Sequence, residues 1–339
     1  MPQPSPEPAF RPPAEWELRP VLNGRNVFAL LVLAIVLAWS GNNTEMGRMT
    51  RELARWAGNA VGLVESSQVG TGLSKLGDLF PMVFTERTPI DRIDGFDRDN
   101  LPWLARLETV EDRQPHLNPE TLKVETVVTT REVLVQPLGY LWRATRYMLV
   151  SLQTALWGTV VAIVVSVVPA VWGARNYTPN RFAYALSRGG VGLLRSIPEL
   201  ISALFLVLAF GFGPVAGVLA LGLHAAGFFG KFFAEDIENA DKAPQEALAA
   251  SGAGKLKVLY YGVLPQVLPQ YVAYVLYILD RNVRMATVIG IVGAGGIGQE
   301  LKGRFDMFDY GHVGTILLVM FVTVIALDQF SARLRAKLI

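Results

Sequence analysis

Long stretches of this 339-residue chain carry no charged side chain at all: residues 26–44, 147–174, 200–230, 258–279 and 313–327. A bilayer's hydrocarbon core is crossed by about 20 apolar residues in a helix. Inside that core every backbone N–H and C=O must be paired within the segment, which leaves helices or a closed barrel. Continuous apolar runs, without strand-like alternation, select the helix. The run 200–230 is interrupted by Gly211-Phe212-Gly213-Pro214, which reads as a turn between two spans. The expectation is an all-α integral membrane protein with about six transmembrane helices. With 51% hydrophobic and only 18% charged residues, the chain is too apolar for an ordinary soluble domain.

The charges sit in blocks between these runs, and the blocks set the organisation. Residues 1–25 hold seven prolines and read as a disordered cytoplasmic tail. Residues 26–44 form the first span. Ala38-Trp39-Ser40 resembles a signal-peptide cleavage site, but the long Pro-rich tail ahead of it argues against cleavage. Residues 45–146 read as an extracytoplasmic loop, with an amphipathic helix along the membrane within Arg51–Phe80 and a short strand at Thr126–Thr130. The carboxylates Asp91, Asp94, Asp97 and Asp99 are spaced like a calcium loop. The twelfth position is Pro102, not an acid, so they read as a solvated loop. Residues 147–339 form the helical core, with a charged elbow at 234–262.

Orientation follows from the basic residues. Arg175, Arg181, Arg188 and Arg195 fill one loop, and Arg333, Arg335 and Lys337 follow the last span. Both groups belong in the cytoplasm by the positive-inside rule. Counting two spans onward from Arg195 returns the elbow to the cytoplasm as well.

Function classes fall away in turn. The net charge of +2 and the lack of a basic stripe argue against nucleic-acid binding. Zero cysteines exclude disulfides and thiolate sites, and His116, His224 and His312 are too scattered for a metal-ligand pair on one helix face. Gly293-Ala294-Gly295-Gly296-Ile297-Gly298 matches a dinucleotide fingerprint in spelling only, since no strand–helix–strand unit surrounds it. Within a bundle, Gly293, Gly295, Gly296 and Gly298 fit a gate or re-entrant turn near the outer mouth. No phosphate-binding loop occurs, so any ATP and Mg must be bound by a partner chain, with no cofactor in this one. No nucleophile–base set at membrane depth supports a membrane enzyme.

Asp280, Arg281 and Arg284 read as sitting where a span ends. Intramembrane arginines must line water or pair, so Arg281 and Arg284 are candidates for a translocation path, the alternative being an interfacial arginine paired with Asp280. Glu199 reads as a structural cap near the cytoplasmic surface. The doubled Val-Leu-Pro-Gln at 263–270 places Pro265 and Pro269 on one helix face and predicts a bend.

Glu246-Ala247-Leu248-Ala249-Ala250-Ser251-Gly252, followed by Leu264-Pro265, resembles the EAA signature of ABC importer permeases. Leu248 stands at the third motif residue and Gly262 at a position usually Ile or Val. Taken with Arg195–Glu199, Tyr260–Gln270 and Ala286–Gly298, the chain resembles the phosphonate ABC transporter permease family over roughly residues 147–339 and the first span. The resemblance implies a type I importer permease bundle in the bacterial inner membrane, homodimeric. It also implies two ABC ATPase subunits inside, an extracytoplasmic solute-binding protein outside, and a small anionic substrate. Glu246, Ala247, Leu248 and Gly252 would form the coupling helix, and Leu264-Pro265 would begin the span it moves. A permease for phosphite, methionine or betaine, or an ATP-independent channel or carrier, stays open on sequence. The insertion 86–132 and the Pro-rich tail are not explained by the resemblance.

Overall fold

The computed structural model describes residues 24–44, 46–60, 68–117 and 124–338. The Pro-rich tail lies outside them up to residue 23. The chain forms two compact units, Met1–Gly77 and Asp78–Ile339.

In the first unit, α1 (Gly24–Asn43) carries the first uncharged run, and the large apolar side chains described along it, from Val27 to Trp39, are exposed. Thr44 closes it by donating from its hydroxyl to Ser40 O at 2.8 Å. Helix α2 (Met46–Ala60) is amphipathic. Met46, Met49, Leu53 and Trp56 recur at helical spacing and are exposed, while Arg55 pairs with Glu52. Helix α3 (Gln68–Gly77) follows, its first N–H bonded to Glu52 at 3.2 Å.

The second unit is a helical bundle carrying a small sheet at one end. Helix α4 (Gly139–Trp172), at 1.5 Å per residue over its 34 residues, is about 51 Å long and reaches both ends of the bundle. Helices α5 (Arg181–Ser196) and α6 (Glu199–Phe210) form a bent pair at 91° around Ile197-Pro198. The bend falls at the residue before a proline, where helical backbone is disfavoured. Helix α7 (Pro214–Asn239) packs along α4 through small residues, with Ala155 and Ala162 facing a strip containing Ala220, Ala225 and Ala226. Without a hydrophobic drive between helices in lipid, such small-residue faces let the backbones approach and gain dispersion contact. Helix α8 (Lys242–Ala250) leads into α9 (Lys255–Val258), a π-type turn (Leu259–Val263) and α10 (Leu264–Ile289). After a second π-type turn (Gly290–Ala294) come α11 (Ile297–Asp306) and α12 (Tyr310–Leu338).

Four of these helical stretches are long and apolar enough to cross a membrane, or five with the bent pair counted as one span. The run Leu30–Ser40 is a shorter apolar helix. The region from 200 to 211 read from sequence as a span is α6 alone. Its 12 residues cover about 18 Å, short of the bilayer's thickness, and the 91° bend makes α5 and α6 a broken span or a re-entrant pair. The prolines expected to bend the chain follow a π-type turn inside one continuous helical stretch, Lys255–Ala294. The turn ends at Val263, Pro265 sits in the first turn of α10, and Pro269 lies inside the helix.

The charged insertion adds a three-stranded antiparallel sheet to the helical bundle, where sequence suggested one short strand. Strands β1 (Glu86–Pro89) and β2 (Arg106–Leu117) flank β3 (Val124–Gln136), in register Glu86↔Gln136 and Arg106↔Val135. Val133, Leu134 and Val135 are buried at its base. The segment leading into β1 seats on the bundle through Val83 N–H to Gly311 O at 3.1 Å, Thr315 Oγ1 to Val83 O at 2.7 Å and Tyr140 N–H to Phe84 O at 3.0 Å. The sheet thus meets α4 at its beginning. At the other end of α4, Ala174 joins Ile237, Leu259, Val263 and Val267 in a separate apolar cluster beneath the elbow.

Candidate functional site: the elbow and the charges behind it

The elbow begins at Asp241, whose carboxylate accepts from Ala243 N–H at 3.1 Å and caps α8. It ends at Gly252, whose φ of 84° is the left-handed conformation that stops a helix, with Ala253 N–H returning to Leu248 O at 3.1 Å. Glu246 and Ala247 lie exposed along α8. Glu246 makes no ion pair or side-chain hydrogen bond among the described residues, and a groove of about 320 Å³ runs beside it, lined by Tyr177, Lys242 and Lys255 among others.

Three tethers fix this helix to the bundle. Tyr177 Oη donates to Gln245 Oε1 at 2.9 Å, and burial pushes the Tyr177 phenol above its ordinary range, so the donor is retained. Asp241 N–H donates to Gln266 Oε1 at 3.0 Å, linking the cap to the first turn of α10 beside Leu264 and Pro265. The third is steric. A Cβ on Gly262 would come within 3.1 Å of Leu248 Cδ1. The two departures from the EAA pattern therefore face each other, the larger side chain occupying the space the glycine vacates. Gly262→Val should overpack this joint by about 1–3 kcal/mol. Adding Leu248→Ala should recover most of the lost thermal midpoint, measured on purified protein. A double variant no more stable than Gly262→Val alone would show that the two positions are not coupled.

Behind the elbow, α6, α7 and α10 are joined by a charged cluster that sequence reading did not assemble. Arg281 Nη2 donates to Glu199 Oε1, and the same nitrogen lies 3.1 Å from His224 Nε2. His224 Nδ1 lies 3.0 Å from Ile197 O, an acceptor only, so Nδ1 carries a proton. His224 Nε2 is also 3.1 Å from Glu199 Oε1. The guanidiniums of Arg281 and Arg195 both lie over the Phe228 ring, at 4.9 and 5.2 Å. Glu199, read as a cap, does open α6, but its buried side chain serves this pair. Arg281 therefore does not pair with its neighbour Asp280. Asp280, 4% exposed, is held instead by the half-exposed Arg284 at 2.6 Å. Neither arginine ends a helix, since α10 continues past both to Ile289.

The glycine run forms a tight reversal at the end of α10. Gly293, Gly295 and Gly296 have φ of 97°, 80° and 72°, and a Cβ on Gly298 would fall 2.0 Å from Thr287 O. Gly213 N–H donates to Gly293 O at 3.0 Å and Ile297 N–H to Ser151 Oγ at 3.0 Å, so the reversal is pinned to the start of α7 and to α4 about 18 Å along from its first residue. This places the glycines at the sheet end of the bundle, opposite the elbow.

A family model described as the binding-protein-dependent transport system inner membrane component matches residues 162–338, more than half of the chain. The chain belongs to that family. Among relatives, the protein named as phosphite transport system permease HtxE of Stutzerimonas stutzeri is 58% identical over 261 residues, 77% of this chain and 100% of that protein. Phosphite transport system permease protein PtxC of the same organism is 49% identical over 48% of this chain and 59% of its own length. Phosphate-import permease protein PhnE of Mycolicibacterium smegmatis is 40% identical over 49% of this chain and 31% of its own length. These relatives place the permease in the phosphonate ABC permease group. In structure, a chain of the MetNI methionine ABC transporter in an inward-facing conformation superposes with a TM-score of 0.51 at 22% identity. It covers 60% of this permease and 99% of that chain, and shares its type I importer fold.

Within the permease, the structure brings Glu246, Ala247, Leu248 and Gly252 together with Leu264 and Pro265 in one joint. It separates that joint from the glycine reversal by the length of the bundle. Arg281 and Arg284 share α10 but have different partners. Glu199 and His224, which complete the Arg281 cluster, lie 82 and 57 residues from it in sequence, a separation no local pattern signals.

Proposed function

We propose that this permease is the translocating subunit of an ATP-driven importer for phosphite, phosphonates or related phosphorus oxyanions. The observation that carries the coupling half is the elbow. A capped helix, tethered at three points, presents a carboxylate that has no partner among the described residues. Such a group is placed for a second protein, here an ABC ATPase that holds ATP and Mg. The substrate half rests on similarity to permeases named for phosphite and phosphate import.

In this reading the elbow faces the cytoplasm and the sheet faces outward toward a solute-binding protein. The chain crosses the bacterial inner membrane several times, α2 lies along the membrane surface, and two permease copies enclose the path. ATP closure of the partner drives the elbows together, and the joint at Gly262, Gln266 and Pro265 passes that movement into α10. The exposed Arg284 and the glycine reversal are the elements assigned to the path and its outer gate. A permease for another small solute, methionine for example, would use the same elbow; the fold shared with the methionine transporter favours keeping it as a second reading.

The test is affinity purification of tagged permease from its native membranes in mild detergent. A stoichiometric ATPase in the eluate, with ATP hydrolysis stimulated by a phosphite- or phosphonate-loaded binding protein, is expected. Recovery of permease without any ATPase would overturn the coupling reading. Stimulation by a methionine-loaded protein alone would move the substrate to the second reading.

A further inference from the structure

At the sheet end of the bundle lies a cavity of about 760 Å³, between the base of the sheet, the first turn of α4 and the start of α12. Four arginines line it, Arg87, Arg92, Arg143 and Arg304, together with His312 and a single carboxylate, Glu86. Their surroundings differ. Arg143 is paired with Glu86. Arg304 is held by Glu300 and Asp309, each at 3.0 Å, and lies 4.9 Å over the Tyr140 ring. His312 Nδ1 is 2.6 Å from Asp309 Oδ1. The guanidiniums of Arg87 and Arg92 make no ion pair or hydrogen bond among the described residues.

The arrangement is therefore a concave positive surface with a fixed floor and two uncommitted guanidiniums at its wall. Concave walls of low polarity focus the field of one-signed charge, and Met82, Phe84 and Leu138 supply such walls here. A guanidinium offers a planar fork of N–H donors that matches two oxygens of a tetrahedral oxyanion. A carboxylate-bearing ligand would meet the same donors, but the three oxygens on one phosphorus can use more of the lining donors, Arg87, Arg92 and the Thr88 hydroxyl, the Thr85 hydroxyl being turned to Pro137 O at 3.4 Å.

We propose that this cavity is a binding site for a phosphorus oxyanion, supplied either as a free solute or as the headgroup of an anionic phospholipid. In its solute form the proposal rests on the importer reading above, with the cavity as a first receiving station on the outer side. In its lipid form it does not.

The full-length permease in dodecyl maltoside, which contains no phosphorus, separates the two sources. Methylphosphonate is titrated by phosphorus NMR line broadening, and co-purified phosphatidylglycerol is counted by native mass spectrometry. Binding of either probe to the wild type is expected, and it should weaken at least about tenfold in Arg87→Gln/Arg92→Gln, which removes two charge-assisted contacts. Both arginines are exposed, so the variant should keep the wild-type thermal midpoint and its co-purifying ATPase. Loss of methylphosphonate broadening identifies the solute as ligand, and loss of retained phosphatidylglycerol identifies the lipid. Neither probe binding to the wild type, or equal binding to the variant, overturns the site and leaves the importer reading standing. Oxyanion binding in a permease that recovers no ATPase supports the site while the importer reading fails.

Discussion

Glu246→Ala is expected to leave the permease folded and inserted yet unable to retain its ATPase. The side chain is exposed and has no partner among the described residues, and surface substitutions away from such contacts usually change stability by no more than about 0.5 kcal/mol. Its partner surface is different. Truncating one member of a hydrogen-bonded charge pair in an interface costs about 2–5 kcal/mol, or at least about 30-fold in docking affinity. The measurement is the ATPase-to-permease ratio after affinity purification, read beside the thermal midpoint of the permease alone. An unchanged ratio would remove Glu246 from the docking surface. A fallen midpoint would show that the loss came through folding instead. Glu246→Gln, which keeps length and hydrogen bonding, should fall between the two.

The second large effect belongs to the cluster behind the elbow. Glu199→Ala is expected to destabilise the bundle by up to about 3 kcal/mol, because Arg281 is left charged and only partly exposed without its carboxylate partner. Glu199 is 12% and Arg281 26% exposed at the side chain, so water can restore only part of the loss. Removing both charges at once, in Glu199→Leu/Arg281→Met, should be far milder than Glu199→Ala, since an apolar pair of similar size needs no counter-ion. Helical membrane proteins often unfold irreversibly, so the quantity to compare is the midpoint of thermal inactivation at one scan rate. If the double variant falls as far as the single one, the cluster is held by packing around Phe228 and not by its charges. Uptake should be lost in the single variants and is the more informative readout for the double. A stable double variant that still transports would confine the cluster to a structural role.

How much of this was legible in the chain depends on the range of the forces involved. The four long spans, carried by α4, α7, α10 and α12, were, because lipid forces each segment to satisfy its own backbone and so writes the answer into consecutive residues. The first run, with its shorter apolar helix Leu30–Ser40, and α6 were not, each falling short of a full crossing. The elbow was legible for a similar reason, its stop at Gly252 being a local device, although its cap at Asp241 was not picked out. The sheet was seen only as a single short strand. Strand β2 is dense with charge and contains Pro115, and β1 is four residues long, so neither shows the alternation that marks a half-buried strand. Only pairing with β3 makes them strands. The charged cluster required α6, α7 and α10 to be placed in space; the arginine pairing with Asp280 that the sequence offered as an alternative does form, at Arg284, while Arg281 turns to the distant Glu199. The contact of Leu248 with Gly262 was hidden in plain view, each departure being noted by itself and neither seen as the other's complement.

The hydrogen bond from Thr315 to Val83 joins residues 232 apart, and it carries an implication for how the protein is made. Synthesis delivers the chain from its N-terminus, so in the orientation proposed above the segment before β1 reaches the outer side long before α12 has left the ribosome. Its carbonyl and the N–H that bonds Gly311 have no native partners during that interval. The insertion must wait on the far side until the last helix threads through and clasps it. Assembly of this domain thus ends where its sequence began, and a chain cut short before α12 would emerge with its outer sheet unfastened, a ready substrate for quality-control proteolysis.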